Sequence, residues 1–86
     1  MARKAKTKVG EDPDLILDQI GRRVVARRVQ LGLSRPEFAA RLGITLTNIG
    51  RIERGEQNVT VRMMCRVAEA LETTMQELMF GTKGSK

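Results

Sequence analysis

The chain lacks most of the side chains on which enzyme active sites and metal sites depend. It has no histidine, tryptophan or tyrosine, only two phenylalanines, and a single cysteine. Without histidine, no Ser-His-Asp triad, Cys-His pair or histidine-based metal site can form. With so few aromatic rings, the chain has few side chains on which bases could stack, as they do in proteins that bind RNA and single strands. We therefore expect that the protein is not an enzyme and holds no cofactor or metal.

Long apolar segments are absent as well. No stretch is apolar for long enough to span a bilayer, and the N-terminus lacks the apolar core of a signal peptide. A lone cysteine is unremarkable in a reducing cytosol and would be odd in a secreted protein. These absences predict a cytoplasmic protein without a membrane partner, and no small-molecule ligand is evident.

Positive charge, by contrast, is present in excess. The 86 residues carry a net charge of +6, and the pI is near 10.5. This charge favours a polyanionic partner, although a membrane surface would attract it too. The length allows one small domain, for which dimerisation is a plausible additional source of stability.

Helix start signals divide the chain into one domain and two tails. Residues 12–81 are predicted to form five helices, between flexible tails at residues 1–11 and 82–86. The basic N-terminal tail is interpreted as a solvated terminus, with an arm that contacts phosphates or the minor groove as the alternative. Capping boxes are predicted at Ser34 with Glu37 and at Thr74 with Glu77. The predicted helix caps are Asp12, Ser34, Thr45, Thr60 and Thr74.

Apolar spacing predicts which side chains of the outer helices face the core. Cys65, in the fourth helix, is interpreted as a small core residue rather than a redox sensor. The basic run Arg22, Arg23 and Arg27 of the first helix is interpreted as a solvated face. The inner face of the fourth helix is predicted to be Val61, Met64, Val67, Ala68 and Leu71.

Residues 34–55 carry the most informative pattern in the chain. A short helix with one apolar face ends at Gly43, where a helix terminus needs a residue free to take a positive φ. A second helix opens at Thr45 and has an inner face of Ile49 and Ile52. Two short helices joined by a sharp glycine turn are typical of a helix-turn-helix, which places its second helix in the DNA major groove.

The segment GRRVVARRVQLGLSRPEFAARLGITLTNIGRIERG resembles the Cro/C1-type (Xre) DNA-binding domain of phage repressors and restriction-modification controller proteins. The resemblance implies an all-α, five-helix, lambda-repressor-like fold. It also implies a transcription regulator that binds double-stranded DNA at an operator as a homodimer. An antitoxin-type protein-binding module of a toxin-antitoxin pair is the alternative. The positions in register with the family are Arg28, Leu33, Ser34, Ala39, Gly43, Ile49 and Glu53.

The outward face of the second motif helix is predicted to contact DNA. Arg51 is interpreted as a base contact, because its planar fork matches the two acceptors of guanine, with a phosphate contact as the alternative. Arg35, at the start of the preceding helix, is expected to hold a phosphate. The complete predicted set is Arg35, Thr45, Leu46, Thr47, Asn48, Arg51 and Arg54.

Two further groups of residues are assigned structural roles. The resemblance implies that Arg28 and Glu53 form an ion pair, and an inward Glu53 also avoids repelling phosphate. The fifth helix carries more apolar side chains than one short surface helix needs. We therefore predict a dimer interface at Leu78, Met79 and Phe80.

Overall fold

The computed structural model describes residues 12–56 and 58–81 of the chain. The predicted tails, residues 1–11 and 82–86, lie outside the described residues. The described part contains helices joined by turns and loops, and no strand, which confirms the all-α, five-helix architecture. None of these helices is long and apolar enough to cross a membrane. They are α1 (Pro13–Gln30), α2 (Arg35–Leu42), α3 (Leu46–Glu53), α4 (Val61–Ala70) and α5 (Met75–Phe80).

Side-chain caps begin all five helices at the predicted positions. In α2 the Glu37 N–H donates to Ser34 Oγ over 3.1 Å, and the Ser34 N–H donates to Glu37 Oε1 over 2.7 Å. Hydrogen bonds to the Glu37 carboxylate from the Ser34 main-chain N–H and, to a lesser extent, from the Ser34 hydroxyl hold the pKa of that carboxyl below its usual value. In α5, Thr74 caps the helix, but the Glu77 carboxylate accepts from the Thr73 hydroxyl, so only half of the predicted second capping box forms.

The helices enclose one apolar core to which all five contribute. Aliphatic side chains, one phenylalanine and one methionine fill it, as the scarcity of aromatic residues requires. A core of this kind supplies most of the driving force for folding, because burial removes apolar surface from water. Its members are Ile20, Val24, Phe38, Ala39, Leu42, Ile49, Ile52, Met64, Val67, Ala68, Leu71 and Leu78.

Two predictions for α4 are wrong. Val61 is 67% exposed, and Cys65 is exposed as well. Val61 is the first residue of α4 and lies at the margin of an open groove rather than beneath a neighbouring helix. Cys65 follows the buried Met64, and one residue further along a helix turns the side chain by about 100° away from the core. Its sulfur lies 3.6 Å from the sulfur of Met75 at the edge of α5.

α1 crosses the C-terminal end of α3 at Gly21. A Cβ at this position would lie 2.8 Å from the carbonyl oxygen of Ile52 and closer still to that of Glu53. Only a residue without a side chain allows such an approach, so Gly21 fixes how α3 lies against the longest helix. The signal for this contact in the sequence is a glycine inside a helix, which is unfavourable unless packing requires it.

Arginine side chains join helices by donating to main-chain carbonyls at helix ends. Arg27 donates from Nε to the Leu71 carbonyl over 2.8 Å and from Nη2 to the Glu72 carbonyl over 2.8 Å. Arg23 Nη1 donates to two carbonyls at the end of α5, over 2.8 and 3.2 Å. Because the last carbonyls of a helix have no partner within it, these donors satisfy acceptors that would otherwise be open. The predicted solvated face of α1 is therefore wrong for Arg23 and Arg27.

The same arrangement recurs in the other helices. Arg41 donates to the Ala70 carbonyl at the end of α4 over 2.9 Å, and Arg66 donates to the Leu42 carbonyl at the end of α2. Arg28 donates to the Leu33 carbonyl just before α2, over 2.9 Å. These donors tie α1, α2, α4 and α5 together at their ends. We call this group the arginine clasps: Arg23, Arg27, Arg28, Arg41 and Arg66.

Candidate nucleic-acid interface

The turn between α2 and α3 sets the direction of α3. Gly43 ends α2 in the left-handed region, at φ 69° and ψ 32°, and its N–H donates to the Ala39 carbonyl over 2.8 Å. Thr45 then caps α3, with its hydroxyl accepting from the Asn48 N–H over 3.1 Å. A left-handed residue at a helix end is inexpensive only for glycine, so this position turns the chain sharply.

α3 has one buried side and one exposed side. Ile49 and Ile52 are buried in the core, and they anchor the helix to the rest of the domain. On the other side, Leu46 is 51% exposed and Thr47 and Arg51 are exposed too. Among the residues predicted to contact DNA, Asn48 is the one that is half-buried. The remaining exposed members of that set are Arg35, Thr45 and Arg54.

Glu53 lies at the end of α3 and binds two arginines. Arg28 Nε donates to Glu53 Oε2 over 2.6 Å, and Arg35 Nε donates to Glu53 Oε1 over 2.9 Å. The side chain of Glu53 is 2% exposed and that of Arg28 is 11% exposed, whereas that of Arg35 is 54% exposed. The expected Arg28–Glu53 pair is thus part of a larger cluster, in which the buried carboxylate also holds the residue assigned to a phosphate.

Arg54 and Glu56 form a second ion pair just beyond α3. Arg54 Nε donates to Glu56 Oε2 over 2.9 Å, and Arg54 Nη2 donates to Glu56 Oε1 over 3.2 Å. These bonds hold the pKa of the Glu56 carboxyl below its usual value, and the positive charge of Arg51 acts in the same direction. Glu56 is a feature of this surface that the sequence analysis did not single out.

Arg51 differs from its basic neighbours. Its side chain is exposed, and it donates to no carbonyl or carboxylate in the described part of the chain. Since Arg35 and Arg54 are both held by carboxylates, Arg51 is the arginine of the predicted set that is free to turn towards a ligand. No group of three or more potential metal ligands occurs among the described residues.

This geometry of a capped helix, a glycine turn and an exposed second helix is shared with known proteins. A model of the helix-turn-helix family HTH_3 matches residues 25–78 of the chain. The chain belongs to the HTH_3 helix-turn-helix family. This membership confirms the predicted resemblance to the Cro/C1-type family, whose members are DNA-binding transcription regulators.

Solved structures agree with this membership of the HTH_3 family. The restriction-modification controller protein C.AhdI from Aeromonas hydrophila is 32% identical, with a TM-score of 0.68, over 72% of this chain and 94% of the other. SinR, a master regulator for biofilm formation solved in complex with DNA, is 28% identical, with a TM-score of 0.64. That match covers 69% of this chain and 95% of SinR.

The fold also occurs as one part of a longer protein. HppE, solved with Fe(II) and substrate, is 25% identical, with a TM-score of 0.70 over 73% of this chain. The match covers only 37% of the HppE chain, so the likeness concerns the helical fold and does not extend to the iron or the substrate of HppE.

The residues assigned to a dimer interface do not share one environment. Leu78 is 2% exposed and belongs to the apolar core, so its assignment to the interface surface has to be corrected. Met79 is half-buried, and Phe80 is 69% exposed. In the six-residue α5, Leu78 packs in the core with Met75 and Met79 against its edge, whereas Phe80 is largely exposed.

Proposed function

We propose that this HTH_3 protein is a sequence-specific regulator that binds an operator in double-stranded DNA as a homodimer. The observation that carries the proposal is the exposed side of α3, which presents Leu46, Thr47 and Arg51 on a helix held rigidly by buried isoleucines. A rigid helix with exposed donors and methyl groups can enter the major groove and meet base edges there. The net charge of +6 favours association with any DNA and brings this face to the duplex.

Each side chain of the face suits a particular partner in DNA. Arg51, which is free of intramolecular bonds in the described chain, is assigned to the two acceptors of a guanine. Leu46 and the methyl of Thr47 are assigned to thymine methyls, and Asn48 to an adenine or a phosphate. Arg35 has its Nε on Glu53, so its terminal nitrogens remain for a phosphate at the start of α2.

The dimer is proposed to form at an apolar groove between α1, α4 and α5. The groove has a volume of about 200 Å³ and is lined mainly by aliphatic and methionine side chains, among them Ile16, Met64 and Met79. Phe80 stands next to it on the same helix with most of its ring exposed. In a two-fold dimer the same patch meets itself, so Phe80 of each copy can enter the groove of the other. Burial of these surfaces would compensate for the small core of an 86-residue chain.

A dimer also makes the DNA proposal stronger. One short recognition helix contacts few base pairs, whereas two related by symmetry read two half-sites about one turn, roughly 34 Å, apart. We therefore expect an operator with inverted half-sites at this spacing.

Selection of bound duplexes from a random pool tests the proposal directly. The expected result is enrichment of one inverted repeat, with a preference for guanine at the position opposite Arg51. The matched control is the Arg51→Ala variant in the same selection, which should keep the repeat and lose the preference at one base pair. No enrichment over the starting pool would show that the chain is not a sequence-specific DNA binder. In that case a protein-binding role, such as that of an antitoxin, would become the better hypothesis.

A further inference from the structure

The pair formed by Arg54 and Glu56 engages two of the three guanidinium nitrogens of the arginine. Two nitrogens of the Arg54 guanidinium, Nε and Nη2, donate to the two oxygens of Glu56. Both side chains are more than half exposed, at 57% and 54%, so neither is held by burial. The bidentate geometry is the one in which arginine binds a carboxylate or a phosphate most specifically.

The third nitrogen of the Arg54 guanidinium, Nη1, lies against Gly50. A Cβ at Gly50 would lie 3.0 Å from Arg54 Nη1, so the guanidinium rests against α3 where any larger residue would crowd it. Arg54 follows Arg51 by three residues and therefore lies on the same side of the helix, at the end of the predicted DNA face. The carboxylate of Glu56 thus holds one cation of this face by two hydrogen bonds and offsets part of its charge.

Complexes with random DNA and with the operator differ in how an arginine such as Arg54 can contact phosphates. Binding to random DNA is almost entirely electrostatic, and any mobile cation near the duplex can find a phosphate. In a complex with the operator, base contacts fix the register, so a cation can take a phosphate only where that register places one. A restraint on Arg54 therefore removes a phosphate contact from complexes with random DNA, which would otherwise form it.

We propose that Glu56 is a specificity-determining residue, which restrains Arg54 and so weakens binding to random DNA more than binding to the operator. The ionised carboxylate itself also repels phosphates that approach the end of α3. The side chain of Arg51 donates to no carbonyl or carboxylate in the described part of the chain and so keeps its freedom for base contact. The proposal rests on the DNA-binding function proposed above and adds a source of discrimination that makes no base contact.

Glu56→Gln tests the proposal, with Glu72→Gln as the matched control. Both changes remove one negative charge from an exposed carboxylate paired with an arginine, but Glu72 pairs with Arg41 at the end of α4, outside the proposed DNA face. Affinities for the selected operator and for a random duplex are measured by fluorescence anisotropy across a series of salt concentrations. One phosphate contact contributes a slope of about −0.9 in log K against log salt, which corresponds to about fivefold in affinity at 0.15 M salt.

For Glu56→Gln we expect random-duplex affinity to rise by about fivefold, with a slope steeper by about 0.9. Operator affinity should change by less than about twofold, because its register already fixes the phosphate contacts. The ratio of operator to random affinity should therefore fall in Glu56→Gln and stay unchanged in Glu72→Gln. An unchanged ratio in Glu56→Gln, or an equal fall in both variants, overturns the proposal.

A second pair of variants separates restraint from simple repulsion. In an Arg54→Gln background no guanidinium remains to be released, so adding Glu56→Gln should raise random-duplex affinity by much less than in the wild type. An equal rise in both backgrounds would mean that Glu56 acts only by repelling phosphates, and the restraint of Arg54 would be refuted. If the wild-type protein binds no duplex at all, it is the DNA-binding function that fails, which these outcomes distinguish from failure of the role of Glu56.

Discussion

The guanidinium of Arg28 donates to the buried carboxylate of Glu53 over 2.6 Å and thereby ties the end of α1 to the end of α3. The same guanidinium donates to the Leu33 carbonyl over 2.9 Å, so it also holds the entry into α2. Three helices of the motif region therefore meet at one side chain, and the position of the recognition helix depends on it. This relationship leads directly to a stability prediction.

Glu53→Ala should lower stability by about 3–5 kcal/mol, because it leaves Arg28, whose side chain is only 11% exposed, without its charged partner. For a domain of this size the loss corresponds to a fall in melting temperature of more than about 12 °C. Thermal unfolding followed by circular dichroism measures it. Glu56→Ala, which breaks an exposed pair at the same end of α3, should leave the melting temperature nearly unchanged. Equal melting curves for the two variants would contradict the structural role of Glu53.

Gly21→Ala and Gly50→Ala should change stability in opposite directions, although both are glycines within helices. At Gly21 the new methyl group would press on the Ile52 and Glu53 carbonyls, which should cost about 1–3 kcal/mol. At Gly50 the methyl group meets only the end of a flexible arginine, so the better helix propensity of alanine should stabilise by up to about 1 kcal/mol. Urea denaturation measures both, and a destabilisation at Gly50 as large as that at Gly21 would refute the account of the α1–α3 crossing.

Arg27→Ala should destabilise the domain by about 1–3 kcal/mol, because the carbonyls of Leu71 and Glu72 lose their donor. Arg22→Ala is the control, since it removes the same side chain five residues earlier on α1. The side chain of Arg22 is 77% exposed, and within the described residues it pairs with Asp18 alone, so its loss should change stability by less than about 0.5 kcal/mol. Equal losses of stability for Arg27→Ala and Arg22→Ala in urea denaturation would show that the bonds of Arg27 to the two carbonyls do not stabilise the domain.

Arg51→Ala and Arg35→Ala should weaken DNA binding in different ways. Loss of Arg51 should cost about 1–3 kcal/mol on the operator and relax the preference at one base pair. Loss of Arg35 should weaken binding to all sequences alike and reduce the salt slope by about one. Anisotropy titrations with operator and random duplexes separate the two roles. Equal weakening of operator and random binding by Arg51→Ala would reassign that residue to a phosphate.

Phe80→Asp should convert the proposed dimer into a folded monomer with poor operator binding, because it replaces the exposed ring proposed to enter the partner's groove with a charged side chain. Val29→Asp is the matched control, since Val29 is 63% exposed on α1 and does not line the groove. Sedimentation equilibrium at tens of micromolar distinguishes the states, and circular dichroism verifies folding. A monomeric wild-type protein at that concentration would show that the interface is wrong.

Local features of the fold could be predicted from the sequence because their causes are local. A cap such as Ser34 acts on an N–H three residues later, and the turn at Gly43 depends on one backbone conformation. The exposed side of α3 could be predicted for the same reason, since its buried and exposed residues alternate with helical period. The tertiary structure did not have to be known for any of these assignments.

Other features depend on which helices meet, and a helical pattern does not contain that information. Arg22, Arg23 and Arg27 look alike in the sequence. Among the residues that the structure describes, Arg23 and Arg27 donate to carbonyls 44 or more residues away, and Arg22 does not. Val61 keeps the spacing of a core residue, yet none of the five described helices covers it. The Arg54–Glu56 pair cannot be predicted from the sequence, because it depends on how the chain beyond α3 turns the two side chains towards each other.

The arginine clasps mean that conserving charge in this protein is not the same as conserving its structure. A variant in which all of these arginines became lysines would keep the net charge of +6 and the same helical periodicity. Lysine, however, has one ammonium group at the end of a flexible stem and cannot reach two carbonyls with fixed geometry, as Arg27 does. Such a lysine-rich chain would keep its attraction for polyanions but would lose the side-chain donors that join its helix ends. For this domain, the choice between the two basic residues is thus part of the folding information.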